Sequence, residues 1–138
     1  MRLAIAVATL LISFSTANAA VGDRFSCHVA NVRNIDPHGR PDDRFIANNM
    51  QNRYDITIRP NSIVSVYTYE GQTYTQEYRI VGDTQLDLLA TRSDIFSFNS
   101  ISISKAPNSR YNNMYPATLT VQGSFFVNVW ILMCSRTY

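Results

Sequence analysis

From about residue 24 onward, apolar and polar side chains alternate with a period of two rather than the 3.6 of a helix. Phe25, Cys27 and Val29 share one face of a first strand, with Ser26 and His28 on the other. Residues 54–58 alternate and stop at Arg59-Pro60-Asn61-Ser62, a turn signal. Residues 63–69 and 73–81 flank Glu70-Gly71-Gln72 and form the strongest hairpin in the chain. With a turn at Glu70-Gly71, Tyr69 faces Gln72, Tyr67 faces Tyr74, Ser65 faces Gln76 and Ile63 faces Tyr78. Residues 86–90 fit either a short strand or one helical turn. In 95–105, Ile95, Ser97, Asn99, Ile101 and Ile103 share a face, opposite Phe96 and Phe98. A turn-rich stretch over 106–116 leads to a strand at 117–121, and Gly123 allows a bulge or turn.

The run 125–134 is apolar on both faces, interrupted only by Asn128. It is too short to span a bilayer as a helix, and its β-branched and aromatic content predicts a central strand covered on two sides. One segment departs from the β pattern. Residues 34–53 begin as a charged loop with two prolines, and Asp42-Asp43 is placed to cap a short helix over 44–51 held down by Phe45, Ile46 and Met50.

Seven to eight short strands at regular spacing predict an all-β fold, a small antiparallel barrel or sandwich. The cysteines sharpen this. Cys27 lies in the first strand and Cys134 in the last, and a disulfide between them requires their Cα atoms within about 7 Å. The two ends of the sheet must then meet, which favours the closed form because closure also removes exposed edges.

That pairing presupposes an oxidising compartment. Arg2, the apolar stretch 3–14 and the small residues of Ala17-Asn18-Ala19 have the three parts of an export signal. Residues 1–19 are therefore expected to be a signal peptide cut between Ala19 and Ala20. Residues 20–138 then form a single β-rich domain, periplasmic or secreted, with no integral membrane segment in the mature chain. The formal net charge of +2 falls further with loss of Arg2, which argues against nucleic acid and anionic membrane surfaces as partners.

Catalytic chemistry finds little support. His28 and His38 are the only histidines. His38 has Asp36, Asp42 and Asp43 nearby, but no recognised metal-ligand spacing, and no metal or other cofactor is expected. Asp83 with Asp87, and Glu70 with Glu77, are carboxylate pairs that nothing forces into one cleft. No nucleophile or acid–base set is assembled.

The aromatic residues say more. Tyr67, Tyr69, Tyr74 and Tyr78 occupy one side of the 63–81 hairpin. They are either core packing, each hydroxyl finding a partner, or a recognition surface, for which tyrosine is well suited. Tyr111, Tyr115 and His38 are further candidate binding residues on loops, where a β scaffold commonly carries function. Trp130, among apolar neighbours, reads as core. The leading expectation is an exported, non-catalytic binding protein. It would act as an inhibitor or as an envelope or host interaction module toward a protein, glycan or small apolar ligand. The alternatives are a small-ligand-carrying barrel and, behind it, a hydrolase or an outer-membrane barrel.

Overall fold

The computed structural model describes residues 18–35 and 42–138; the proposed signal segment up to residue 17 and the loop carrying His38 lie outside the described residues. Eight strands follow one another round a closed, antiparallel up-and-down barrel. They are β1 (Arg24–Ile35), β2 (Arg53–Ile58), β3 (Ser62–Tyr69), β4 (Gln72–Asp83), β5 (Asp87–Ser93), β6 (Ser97–Ser104), β7 (Tyr115–Gly123) and β8 (Val127–Thr137). Among the described residues one α-helix, α1 (Asp43–Asn49), lies between β1 and β2. Closure is made by β1 against β8. Cys27 and Cys134 are direct partners there and form a buried disulfide joining the first and last strands.

Alternation puts apolar residues inside. Phe25, Ile56, Ile58, Ile63, Ile101, Ile103 and Leu132 are essentially inaccessible to solvent. The outer wall is largely polar: Asp55, Glu77 and Arg79 are all exposed. Two bulges adjust the wall. One in β1, between Val29 and Asn31, moves the inward set from Val29 to Val32, where strict alternation would have broken; the other lies in β4 between Ile80 and Gly82.

The end of the barrel where β1 begins is plugged. Ala19 is buried and its N–H donates to the Lys105 carbonyl oxygen at 2.7 Å. Lys105 pairs with Asp83, and Arg136 pairs with Asp23 at 2.9 Å while lying over the rings of Phe25 and Tyr115. Cleavage at the expected position would leave the Ala20 nitrogen against the Asp23 carboxylate, its present partner at 2.6 Å.

Two expectations need correction. The outer row of β8, Val127, Val129, Ile131 and Met133, is only partly shielded by the neighbouring strands, and no second layer covers it among the described residues. A barrel has one inner face, so apolar residues on both sides of a strand did not signal a second packing partner. Met50 is exposed rather than packed beneath the helix; the buried residue of α1 is Asn49. The sequence 86–90, open between strand and helix, enters strand β5 at Asp87.

Candidate functional site

The register fixes where each tyrosine stands. The β3–β4 hairpin pairs Tyr69 with Gln72, Tyr67 with Tyr74, Ser65 with Gln76 and Ile63 with Tyr78, as the alternation predicts. Glu70 and Gly71 both have positive φ, 49° and 77°, which suits a two-residue hairpin turn. The tyrosine face is the inner face. Because the strands run from the plugged end to the open end, exposure is graded along it. Tyr78 is fully buried at mid-barrel, Tyr67 and Tyr69 are half-buried, and Tyr74 is 39% exposed at the rim. Packing and presentation are thus two ends of one ladder.

Tyr54, which alternation alone did not single out, completes it. Its ring lies 5.3 Å from that of Tyr67, and Tyr67 is stacked 5.3 Å from Tyr74. Burial raises the hydroxyl pKa of Tyr54 and Tyr78 well above the usual phenol range. Tyr67 is raised by burial and by Tyr74, with Arg92 acting the other way. The hydroxyls are linked: Tyr78 donates to Gln76 Oε1, and Gln76 Nε2 donates to the Tyr67 oxygen at 3.4 Å.

The helix α1 partly roofs this end. Asp42 caps it, its carboxylate accepting from Phe45 N–H at 2.9 Å, and Phe45 and Ile46 pack against the core. Asn49 ties the roof to the barrel. Its Oδ1 accepts from Trp130 Nε1 at 3.1 Å and from Asn52 Nδ2 at 3.2 Å, while its own amide donates to the Phe45 carbonyl oxygen at 2.8 Å. Phe45 and Trp130 meet at 6.0 Å between ring centroids.

Between roof and ladder, open to solvent at the barrel mouth, lies a cavity of about 370 Å³. Tyr54, Tyr67, Tyr69, Tyr74 and Gln76 form one wall; Leu119, Val121 and Trp130 form the other, under Phe45 and Asn49. Its volume falls at the small end of the roughly 300–1,000 Å³ of known ligand sites. A wider groove of about 630 Å³ runs outside the wall past the exposed Gln51, Arg53, Asp55, Thr68 and Glu70. That groove shares Tyr67 and Tyr69 with the inner site but is otherwise bounded mostly by polar side chains, so the aromatic-walled mouth is the better site for an apolar body.

Tyr67, Tyr69 and Tyr74 therefore line one cavity, with Tyr78 hydrogen-bonded behind it. Tyr111 and Tyr115 do not join them. Tyr111 is exposed on a single 3-10 turn at the plugged end, and Tyr115 is buried there against Phe25 at 5.1 Å. His28 points outward on β1. The acids are dispersed: Asp83 pairs with Lys105, and Glu77 with Arg59 at 3.5 Å. No cluster of three metal-ligating side chains exists among the described residues.

Elsewhere on the open rim, large apolar side chains stand exposed among polar ones. Two adjacent hairpin turns, β5–β6 and β7–β8, carry Ile95, Phe96 and Phe125 at 87%, 79% and 77% exposure. The first turn is held rigid by Asp94, whose carboxylate accepts from Phe96 N–H and Ser97 N–H, both at 2.8 Å; these bonds hold its pKa below the usual value. In the second, the Phe126 ring folds onto Gly123, where any Cβ would lie 2.4 Å from it.

The disulfide, and the lack of any helix long and apolar enough to cross a membrane among the described residues, are compatible with an exported protein. No protein-family model, curated protein or solved structure matches this chain.

Proposed function

We propose that this is an exported, non-catalytic binding protein whose site is the tyrosine-lined mouth of the barrel, taking a small ligand with an apolar or aromatic body. One observation carries the reading. Toward the plugged end the interior is lined by aliphatic side chains together with Phe25, Tyr115 and the Cys27–Cys134 disulfide, whereas the mouth holds a space of about 370 Å³ walled by four tyrosines and the only tryptophan in the chain. A barrel of eight strands is usually filled by its own side chains. Leaving that space costs dispersion contacts, a cost a ligand repays. The rings supply contact area and the linked hydroxyls supply orientation.

Trp130 is a built-in reporter. Titration with N-phenyl-1-naphthylamine, a neutral aromatic dye, is expected to quench Trp130 emission and saturate at one dye per chain. Tyr74→Ala should weaken binding about tenfold, and Val121→Trp, which fills the cavity from its β7 wall, should abolish it. Equal binding by the wild type and Val121→Trp, with both folded, would overturn the reading. The outward Asp55, Glu77 and Arg79 weigh against an outer-membrane barrel, whose wall faces lipid with apolar residues.

A second reading, a protein-contact module, draws on the exposed rim. Ile95, Phe96 and Phe125 are displayed on hydrogen-bonded turns rather than tucked in, and patches of this kind mark interaction sites. A protein partner captured from envelope or host extract should be lost with Phe96→Ser/Phe125→Ser. Retention by that variant would remove the rim from consideration.

A further inference from the structure

The cavity's walls come from β2, β3 and β4 on one side and β7 and β8 on the other. The ring is closed between them by β5 and β6. In register with Val121 the inward residue of β6 is Asn99, and in register with Asn99 the residue of β5 is Arg92. Arg92 follows Leu88 and Ala90, both buried, on the inner face of β5. It is half-buried. A guanidinium inside a barrel needs a counter-charge, since burying an uncompensated charge is costly.

None is present. Arg92 makes no ion pair or side-chain hydrogen bond among the described residues. The nearest acid on its own strand and turn, Asp94, has both carboxylate oxygens occupied by the β5–β6 turn: Oδ1 by Phe96 N–H and Ser97 N–H, Oδ2 by Ser97 Oγ at 3.1 Å. The neighbour across the register is a neutral amide. Asn99 is 3% exposed, its Nδ2 donates to Ser97 Oγ at 3.3 Å, and its Oδ1 has no partner. The groups on the facing wall are neutral hydroxyls: the Arg92 charge acts on both Tyr67 and Tyr78, lowering pKa values that burial raises. Arg92 thus stands beside the cavity rather than among its lining residues, within reach of the lining Tyr67; the described lining itself is aromatic, aliphatic or neutral polar.

We infer that Arg92 is the anion-binding pole of the barrel mouth, and that the ligand is an organic anion, an acidic group on an apolar or aromatic body, with the acid at Arg92 and the body against Tyr67 and Tyr74. This inference rests on the cavity reading above and names the ligand class for the same site. Arg suits the role because its planar fork takes two oxygens of a carboxylate or sulfonate at once and stays charged at any physiological pH. The Tyr67 hydroxyl, which accepts from Gln76, keeps its own proton to donate alongside.

The test compares two dyes that share one aromatic body. 8-Anilinonaphthalene-1-sulfonate carries a sulfonate; N-phenyl-1-naphthylamine does not. The wild-type chain with its disulfide intact is expected to bind the sulfonate dye at least tenfold more tightly, as expected of a charge-assisted hydrogen-bonded pair. Arg92→Met should erase that preference while leaving the neutral dye's affinity within about threefold, and Arg92→Lys should keep part of it. Unchanged thermal midpoints certify that the variants are folded. If both dyes bind equally to the wild type, or the preference survives Arg92→Met, the anionic pole is wrong and the cavity reading stands. If neither dye binds, both fall.

Discussion

At the scale of single residues, the tyrosine ladder does two jobs by height. Tyr54 and Tyr78 are held neutral by burial, which raises their pKa above the ordinary 10.0. A raised folded-state pKa means a stabilising contribution that is complete below the unfolded value and is lost as pH climbs past 10 toward the folded values. Stability should therefore fall above pH 10, and phenolate absorbance of these two residues should emerge together with unfolding rather than before it. Early ionisation of all eight tyrosines in the native state would contradict their burial. Asn49 is the other decisive residue. Asn49→Ala leaves Trp130 Nε1 and Asn52 Nδ2 without their acceptor and is expected to cost about 1–3 kcal/mol in denaturant titration, with a red shift of Trp130 emission as the roof loosens. Asn49 was not legible in the sequence. It sits in a polar Asn-Asn pair, and which of the two turns inward depends on where α1 lands on the barrel. Arg92 was equally hidden, because alternation across 86–93 is obscured by the consecutive apolar residues Leu88, Leu89 and Ala90.

At the scale of elements, period-two alternation carries most of the information. The hairpin register, the inward set of β6 and the Asp42 cap of α1 all follow from it or from local turn chemistry. Alternation tells which face a residue occupies but not its height in the barrel, because height depends on strand tilt and stagger round the closed sheet. That is why the tyrosines read as core or surface when they are both, and why the sequence does not tell that the loop candidates Tyr111 and Tyr115 stand at the opposite end from Tyr67 and Tyr74. The β3–β4 turn itself is improvable. Glu70 adopts a positive φ of 49°, a region costly for residues other than glycine and asparagine. Glu70→Asn is expected to raise stability by roughly 0.5–1 kcal/mol, visible as a higher denaturant midpoint with unchanged slope. A lower midpoint would show that the Glu70 side chain contributes more than its backbone costs.

At the scale of the whole molecule, the disulfide locks the one seam that sequence-adjacent hairpins cannot make. Its partners are 107 residues apart. A loop of that length is worth about 4–5 kcal/mol in the chain-entropy model, and removing a native disulfide commonly costs about 2–5. Cys27→Ser/Cys134→Ser should lower stability within that range, and calorimetry under reducing conditions should give the same deficit. A change below about 1 kcal/mol would mean that backbone pairing of β1 with β8 suffices. The pairing of Cys27 with Cys134 was readable from two cysteines and a compartment argument; the cavity was not, since it is a property of how eight inner faces fit together.

The asymmetry of β1 has a consequence for assembly. It pairs with β2 only from Arg24 to His28, but with β8 along its whole length to Ile35. A strand made early thus waits for a mate that emerges from the ribosome more than a hundred residues later. Until then the stretch from Val29 to Ile35 is a bare, pairing-competent edge. Such edges recruit other chains, so a nascent or truncated chain lacking β8 should be handed on by holdase chaperones or aggregate, while the finished barrel presents no edge at all.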